Sequence, residues 1–259
     1  MAALITYDLD ADVALIGFNR PEKRNAISDA VIEELAKAVD RAADEARAAV
    51  LHGHGKHFCA GLDLAEHSER DLIGAIRNSR RWHQVFDQIQ RGAIPFISAL
   101  HGAVVGGGLE IAAATHVRVA DASTKFALPE GQRGIFVGGG GSVRIARLIN
   151  HANMTDMMLT GRVLTAEEGH RIGLCQYLVG AGEALDKAKE LARRAAGNAP
   201  LSNFAVINAL PRIQDMGQDD GLFVESLMSS ITTATPEARE RLRAFLEGRA
   251  ERLIPKDSA

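Results

Sequence analysis

The chain has 259 residues, of which 46% are hydrophobic and 24% are charged, so it is long enough for one large core or for one domain with an appendage. The formal net charge of −3 gives no global basic field that would attract nucleic acid or an anionic membrane. Two cysteines cannot build a disulfide framework, no apolar run approaches membrane-spanning length, and the N-terminus has no leader pattern. We therefore expect a cytoplasmic protein without nucleic-acid or membrane partners.

The N-terminal segment predicts a hairpin followed by a helix. Residues 4–21 alternate like two strands around a turn at Asp10–Asp12, and Pro21 ends the second strand because proline cannot donate to a ladder. Ser28 and Asp29 are good caps for the helix that follows. The face of this helix that we expect in the core carries Val31, Leu35, Ala38 and Val39.

The next segments predict a buried strand and a second amphipathic helix. In chain order we predict a strand over 48–55, a helix over 71–92, an apolar strand and turn over 95–108, a short helix over 109–116 and a strand-like stretch over 117–130. The expected core contacts of the second helix are Ile73, Ile76, Trp82, Val85, Phe86 and Ile89. Arg77, Arg80 and Arg81 form the densest basic patch, which is typical of a solvated helix face.

The last part of the chain becomes entirely helical. We predict a glycine-rich loop over 131–141, helices over 142–149 and 152–161, a capped helix from Thr165 to Gly173 and a strand over 175–180. From Gly182 onward the sequence predicts helices only, interrupted by Pro200, Pro211 and Pro236. Strand-rich units therefore alternate with helices for about 180 residues before an all-helical tail.

Two carboxylates occupy unusual positions in this pattern. Glu110 lies in the first turn of an apolar helix directly after the glycine run 106–108, and Glu130 follows Pro129 ahead of a glycine-rich loop. The helix dipole favours an anion in the first turn, which alone would explain Glu110. A triple glycine, however, lets backbone N–H groups approach a ligand closely. Because two carboxyls in apolar surroundings can hold different protonation states, the pair is a candidate acid and base.

The stretch HGHGKHFC, residues 52–59, has the side chains of a metal site but not the spacing. His52, His54 and Cys59 fit no standard zinc pattern, and no matching distal pair follows. We interpret the stretch as a strand running into a loop and predict no metal there. The glycine clusters also lack the G-x-G-x-x-G and P-loop spacings that phosphate-binding loops need.

Five segments carry a resemblance to a known family. They are FNRPEKRNAIS (18–28), GHGKHFCAGLDL (53–64), HGAVVGGGLEIAAATHVRVADASTKFALPE (101–130), GIFVGGGGSVRIARLI (134–149) and LTGRVLTAEEGHRIGL (159–174). With these motifs in order over nearly its whole length, the chain resembles the enoyl-CoA hydratase/isomerase (crotonase) superfamily. The resemblance implies an α/β fold: a spiral of ββα units in two roughly perpendicular sheets over 1–198, and a C-terminal helical trimerisation region over 199–259. A homotrimer or homohexamer is the assembly it implies.

The same resemblance implies the chemistry of the site. Backbone N–H groups of Ala60 and Gly107 would form an oxyanion hole for a thioester enolate, with Gly106 beside it. Glu110 would hold and activate water, and Glu130 would deliver a proton to the substrate's Cα. The implied reaction is syn addition of water to a trans-2-enoyl-CoA thioester, with no cofactor, since coenzyme A belongs to the substrate. The backbone of Gly138 would help to hold the water.

The resemblance also implies a coenzyme A site. Its expected contacts are Lys23, Arg24, Ala26, Ala60, Leu62 and Asp63, with Lys256 as a further cation for the phosphates from a neighbouring subunit. For Lys23 and Arg24 an ordinary solvated turn stays an open alternative.

Three departures leave the reaction open within the family. Ala127 and Leu128 stand where well-known hydratases carry Gly-Gln, and Val137 stands where they usually carry proline. The alternatives are an enoyl-CoA delta-isomerase, a hydroxycinnamoyl-CoA hydratase-lyase and a carnitinyl-CoA dehydratase. Two rivals come from other classes of protein, an RNA-binding scaffold and a metalloprotein. The first helix is acidic, which speaks against RNA binding. Candidate linings of an acyl pocket are Trp82, Phe86, Met154 and Met157, for which core packing is the alternative.

Overall fold

The computed structural model describes residues 3–67 and 70–249, with the backbone alone at residues 66 and 67. Lys256, named above as a possible phosphate contact, lies outside the described residues. Internal contacts divide the chain into two compact units, Met1–Gly197 and Asn198–Ala259. The first unit carries every strand of the described part and both glutamates of interest.

The first unit alternates strands and helices. Its strands are β1 (Ile5–Asp10), β2 (Val13–Phe18), β3 (Ala48–Gly53), β4 (Phe96–Leu100), β5 (Ala103–Val105), β6 (Val117–Asp121), β7 (Lys125–Ala127), β8 (Leu164–Thr165) and β9 (Tyr177–Val179). Its helices are α1 (Asp29–Glu45), α2 (Leu64–His67), α3 (Leu72–Arg91), α4 (Gly107–Ala112), α5 (Gly141–Thr160), α6 (Ala166–Ile172) and α7 (Ala184–Ala196). Short 3₁₀ turns cover Pro21–Lys23 and Gly131–Arg133.

The larger sheet has six strands in the order β1-β2-β3-β4-β6-β9. The predicted hairpin is confirmed, because β1 and β2 pair antiparallel with Asp10 opposite Val13. All later pairs in this sheet are parallel and require crossover connections, which the helices supply. Parallel strands covered on both faces are apolar throughout, and β3 and β4 are buried along their full length.

A second sheet of three strands, β5-β7-β8, splits two stretches that we predicted as continuous. The strand predicted over 95–108 leaves the first sheet at Gly102, whose φ of 54° lies in the left-handed region that favours glycine. The stretch 117–130 divides in the same way into β6 and β7. An isolated bridge joins Cys59 to Val104 of β5, so the second sheet holds the loop after β3 beside the glycine run 106–108.

Helices α1 and α3 pack against the core, but only part of α3 matches its prediction. The predicted core residues of α1 are all buried, and Ser28 caps it by accepting a hydrogen bond from Val31 N–H. In α3 the C-terminal residues Trp82, Val85, Phe86 and Ile89 are buried as predicted. Ile73 and Ile76 are 53% and 51% exposed, so their assignment to the core was wrong. The reason is positional: Trp82 is the first buried residue of α3, so the N-terminal half of the helix lies outside the core.

Two predicted helices proved to be one. Helix α5 runs from Gly141 to Thr160 and kinks at Asn150, whose φ is 61°. The side chain of Asn150 accepts a hydrogen bond from Asn153 N–H, which restarts the helix after the kink. The predicted cap of the following helix is confirmed as a reciprocal capping box between Thr165 and Glu168, and Gly173 ends that helix.

The second unit contains helices in the described part, as the sequence predicted. They are α8 (Pro200–Phe204), a π-helical stretch (Ala205–Ala209), α9 (Leu210–Ile213), α10 (Gln218–Thr233) and α11 (Pro236–Leu246). Helix α10 exposes Leu222, Phe223, Leu227 and Ile231, and α11 exposes Leu242, Phe245 and Leu246. Over the part of the chain that is described, no helix combines the length and apolarity needed to cross a membrane.

Candidate active site

Glu110 is held by the backbone of a distant glycine loop. It lies in the first turn of α4 and is 3% exposed. Its Oε1 accepts hydrogen bonds from the N–H groups of Gly139 and Gly141, each at 2.8 Å. Burial raises the pKa of Glu110, while the amides of this loop and the charge of Arg144 oppose that rise. Oε1 is therefore fixed by the amides of Gly139 and Gly141, and the amide of Gly138 adds a further interaction with the carboxylate.

Glu130 lies in a different environment. It is 7% exposed, and its Oε2 is buried without a hydrogen-bond partner in the described chain. Burial raises the pKa of Glu130 to about 7, and the negative charge of Glu110 adds to the rise. Its Oε1 faces Gly106, since a Cβ built on that glycine would lie 2.6 Å from it. Gly106 has a φ of 53°, so both the backbone conformation and the close approach require glycine there.

One pocket, which we call the inner pocket, contains both carboxylates. Its lining residues are Ala60, Gly61, Leu62, Leu64, Ala75, Asn78, Ser79, Trp82, Gly106, Gly107, Glu110, Glu130, Arg133, Ile135, Phe136, Val137, Gly138 and Gly139. The structure thus brings together all the residues to which the resemblance gave a part in the reaction. One of them, Ala60, precedes the others by 46 residues or more, and the bridge between Cys59 and Val104 brings it beside them.

The structure changes which amides are free to bind an oxyanion. The N–H of Ala60, a predicted donor, instead donates to the carbonyl of Arg24 at 2.9 Å. Leu62 and Gly107 have N–H groups that donate to no group within residues 3–67 and 70–249. A Cβ built on Gly107 would lie 3.6 Å from the Leu62 nitrogen, so the two amides are close. Gly107 is the first residue of α4, where an N–H has no partner in its own helix.

Trp82 forms the aromatic wall of the inner pocket. A Cβ on Gly107 would lie 2.7 Å from Cζ3 of Trp82, and a Cβ on Gly139 would lie 3.1 Å from its Cε3. The indole therefore packs against both glycine segments that surround Glu110. Of the four candidate pocket residues, only Trp82 lines this pocket, whereas Phe86, Met154 and Met157 are buried in the hydrophobic core. Among the three departures Val137 lines the pocket, while Ala127 and Leu128 are buried.

A second cavity, the outer cleft, adjoins the inner pocket. It is lined by Lys23, Arg24, Ala26, Ala60, Leu62, Asp63, Leu64, Ala65, Ala103, Val105 and Arg133. These include all six residues that we expected to contact coenzyme A. The two cavities share Ala60, Leu62, Leu64 and Arg133, so they adjoin each other along these residues.

Charged side chains in the outer cleft divide into paired and unpaired groups. Asp63 accepts from Arg20 at 3.2 Å and from Lys23 at 3.3 Å. Burial alone would raise the pKa of Asp63, but these two cations outweigh it and hold its pKa below the usual value. Arg133 is exposed and makes no side-chain hydrogen bond or ion pair within the described part of the chain. It is a cation that lines both cavities, and the sequence analysis did not single it out.

Asn25 is a second residue that the sequence analysis missed. It is 1% exposed and has a φ of 57°, which asparagine tolerates better than most residues. Its side-chain amide donates to the carbonyls of His54 and His57, at 2.9 and 2.7 Å, and accepts from Arg20 N–H at 2.9 Å. Asn25 therefore fixes the loop that carries Leu62. Its place between Arg24 and Ala26, both predicted to bind substrate, was the available signal.

The histidines of the 52–59 stretch make structural contacts: the rings of His52 and His54 meet edge to face at 5.0 Å between centroids. His54 Nε2 lies 2.8 Å from Thr6 Oγ1, and His57 Nδ1 accepts from Ala103 N–H at 3.1 Å. Burial lowers the pKa of His52 to about 4, and burial raises the pKa of the Cys59 thiol to about 12. Within residues 3–67 and 70–249, no three His, Cys, Asp or Glu side chains are grouped so that they could hold a metal ion. Phe58 is fully buried and meets Phe18 edge to face at 5.6 Å between ring centroids.

Known proteins share this architecture. A Bacillus anthracis enoyl-CoA hydratase structure superimposes with a TM-score of 0.90 at 28% identity, covering 96% of this chain and 98% of that one. A Rhodopseudomonas palustris crystal structure, 53% identical, superimposes with a TM-score of 0.92 and 95% coverage of both chains. The fold is therefore the crotonase fold, and the predicted fold class is confirmed. The angle between the sheets and the trimerisation role of the tail stay predictions.

Sequence comparison identifies the family. The profile of the enoyl-CoA hydratase/isomerase family matches residues 8–253. An enoyl-CoA hydratase of Mycobacterium tuberculosis is 32% identical over 91% of both chains. The 2,3-dehydroadipyl-CoA hydratase of Escherichia coli is 32% identical over 92% of this chain and 93% of its own length. The chain belongs to the enoyl-CoA hydratase/isomerase, or crotonase, family of enzymes, as its motifs predicted.

Proposed function

We propose that the protein is an enoyl-CoA hydratase, which adds water reversibly and with syn geometry to a trans-2-enoyl-CoA thioester. The observation that carries the proposal is the pair Glu110 and Glu130 in one pocket with contrasting environments. A reaction that adds a hydroxyl and a proton across one double bond needs a base and an acid at once. The names of the relatives from M. tuberculosis and E. coli support the same reaction class.

The thioester oxygen would bind at the junction of the two cavities. We assign its two donors to the N–H groups of Leu62 and Gly107, in place of the pair Ala60 and Gly107 that the motif suggested. The hydrogen bond from Ala60 to Arg24 supports this change, since a donor already in use contributes little to a new oxyanion. Each preorganised donor of this kind typically contributes about 10²–10³-fold to the rate.

Proton flow follows from the two carboxyl environments. Glu110 holds the water and accepts its proton as the water oxygen bonds to Cβ. Glu130 donates its own proton to Cα, where the electron pair of the enolate becomes a C–H bond. After product release Glu110 is protonated and Glu130 is not, so one proton returns from Glu110 to Glu130 through water before the next turnover. The raised pKa of Glu130, about 7, supports its role as the acid near neutral pH.

We propose that the coenzyme A part occupies the outer cleft and the acyl group enters the inner pocket. The six residues expected to contact coenzyme A line the outer cleft together, which supports this orientation. Beyond the glutamates, the inner pocket is lined largely by apolar groups such as Trp82, Ile135, Phe136 and Val137. An apolar or aromatic acyl group is therefore the substrate class that the lining favours.

The test is a panel of enoyl-CoA thioesters assayed in D₂O. We expect loss of the conjugated enoyl absorbance and formation of a 3-hydroxyacyl-CoA with one deuterium at Cα. Parallel reactions in H₂¹⁸O should place the label at Cβ. No hydration of short, long or aryl enoyl-CoAs would contradict the proposal.

Delta-isomerase is the second candidate, because a single carboxylic acid near pH 7 could also move a proton between carbons. The raised pKa of Glu130 is the observation that favours it. A 3-enoyl-CoA in the same panel distinguishes the two reactions: an isomerase converts it to the 2-enoyl form without taking up ¹⁸O. The hydratase-lyase and carnitinyl dehydratase alternatives are tested by including a hydroxycinnamoyl-CoA and a carnitinyl-CoA.

For assembly we propose a trimer or a dimer of trimers. The exposed apolar side chains of α10 and α11, among them Phe223, Ile231 and Phe245, would be costly in a monomer, which supports burial against other copies. Light scattering of the purified protein should give three or six times the chain mass, and a monomer at micromolar concentration would contradict it.

A further inference from the structure

Arg144 is a buried arginine that touches the active-site loop without lining either cavity. It lies in the first turn of α5 and is 8% exposed. Its Nε donates to Gln90 Oε1 at 2.7 Å, and its Nη2 donates to Asp87 Oδ1 at 2.5 Å. Both partners belong to α3, so the guanidinium links α3 to α5. A buried cation with this many partners has its orientation fixed.

The third contact of Arg144 reaches the loop that holds Glu110. Nη1 donates to the carbonyl of Gly139 at 2.9 Å. The N–H of that same glycine donates to Glu110 Oε1 at 2.8 Å. Arg144 and Glu110 therefore hold the carbonyl and the amide of one residue. Gly140, at a φ of 98°, lets the guanidinium approach, because a Cβ there would clash with Nη1.

We infer that Arg144 is a positioning residue: through Gly139 it fixes the Gly139–Gly141 amides that clamp one oxygen of Glu110 and leave the other for the reacting water. The inference rests on the proposed function for its consequence in catalysis, but its structural part concerns Glu110 alone. Nothing in the position of Arg144 allows direct contact with substrate, so its effect must pass through the loop.

The charge of Arg144 acts in the same direction as its hydrogen bonds. A nearby cation favours the ionised form of Glu110, and so do the amides that Arg144 orients. The other charged groups around this pair are Glu130 beside Glu110, and Asp87, Arg91 and His83 around Arg144. The opposite charges of Asp87 and Arg144 partly neutralise each other. The hydrogen bond between them helps to hold the guanidinium in place.

The test compares Arg144→Met and Arg144→Lys with a matched control, Arg81→Met. Arg81 lies on α3, forms an exposed ion pair with Glu33 and lines neither cavity. We expect Arg144→Met to lower kcat by about 10²-fold, because a loop displaced by about 1 Å misaligns the water. KM and the affinity for a saturated acyl-CoA should change little. Arg144→Lys should recover part of kcat, and the control should match the wild type.

A second readout does not depend on turnover. In protein labelled with δ-¹³C glutamate, the Glu110 carboxyl, assigned through Glu110→Gln, should titrate at higher pH in Arg144→Met than in the wild type. If Arg144→Met does not fold, Gln90→Leu removes the neutral partner of Arg144 Nε without changing a charge, and it should give a weaker shift in the same direction. A folded variant with unchanged kcat and an unchanged Glu110 titration would overturn the inference. If the wild-type protein hydrates no enoyl-CoA but Arg144→Met still shifts the titration of Glu110, the proposed function is contradicted and the positioning role is supported.

Discussion

Glu110 and Glu130 both have carboxyl groups buried at one pocket, yet the hydrogen-bonding environments of the two carboxyls differ. Glu110 receives two backbone N–H groups at 2.8 Å from a loop that α3 and α5 hold in place. Glu130 has one oxygen buried without a partner and the other facing a glycine. Burial penalises the charged form of both, but the anion of Glu110 is stabilised by two amides of the loop, whereas that of Glu130 has only its own backbone amide and the charge of Arg133. Under the proposed function, the carboxyl held by the loop amides is the base.

The largest effect is expected when either carboxylate is removed. Glu110→Gln and Glu130→Gln should each lower kcat for hydration by about 10²–10⁴-fold, the usual contribution of a general acid or base. The double variant should be little worse than either single one, because the two groups act as a unit. Steady-state kinetics with crotonyl-CoA would measure all three. Wild-type rates in both single variants would rule out the mechanism.

A smaller perturbation displaces Glu110 without changing it. In Gly139→Ala the new Cβ would lie 2.8 Å from Phe86 and 3.3 Å from the Glu110 carboxyl carbon, so the loop must shift. We expect kcat to fall by about 10²-fold. The matched control is Gly217→Ala, at a glycine that lines neither cavity and whose Cβ would meet nothing closer than Asp220 at 3.9 Å. Equal activity of the two variants would show that the loop geometry does not matter.

The pH dependence of the rate tests whether Glu130, rather than Glu110, is the acid. Glu130 must be protonated to act as the acid, and its pKa is raised to about 7. The kcat for hydration should therefore decline as pH rises above about 7 and the proton is lost. In Glu130→Gln the small residual rate should lack this alkaline decline. An alkaline limb that is unchanged in the variant would assign it to another group.

The smallest expected effect concerns the loop that carries Leu62. Asn25→Ala removes three hydrogen bonds from a buried site and should lower the free energy of unfolding by about 1–3 kcal/mol. Asn19→Ala, which removes one hydrogen bond to Ala3, is the control and should cost less. Urea unfolding measures both. An Asn25 variant as stable as the wild type would mean that other contacts hold this loop.

Much of the fold could be read from the sequence because its signals are local. The alternating hairpin and the cap at Thr165 depend on neighbouring residues only, and the structure confirms both. Glu110 and Glu130 stood out because each is a charge beside glycine or proline in an apolar setting. The strand break at Gly102 was missed because an apolar run does not reveal which sheet each half joins. Ile73 and Ile76 were misplaced because periodicity marks a face without saying what covers it.

The site also holds details that only the three-dimensional arrangement supplies. Whether the amide of Ala60 or that of Leu62 is free depends on the carbonyl of Arg24, which is remote in sequence. The two carbonyls that accept hydrogen bonds from Asn25 are likewise 29 and 32 residues away. The histidines of the 52–59 stretch looked like metal ligands because composition does not show where side chains point: His54 and His57 hydrogen-bond to different groups, and the His52 ring packs on that of His54.

The most direct test of the central claim is the order in which the two carboxyls lose their protons. Titration of δ-¹³C glutamate-labelled protein by NMR, with Glu110→Gln and Glu130→Gln for assignment, measures both. The account predicts that Glu110 ionises first and that Glu130 retains its proton up to a pH of about 7. If Glu130 ionised first and Glu110 kept the proton, the assignment of base and acid would be contradicted.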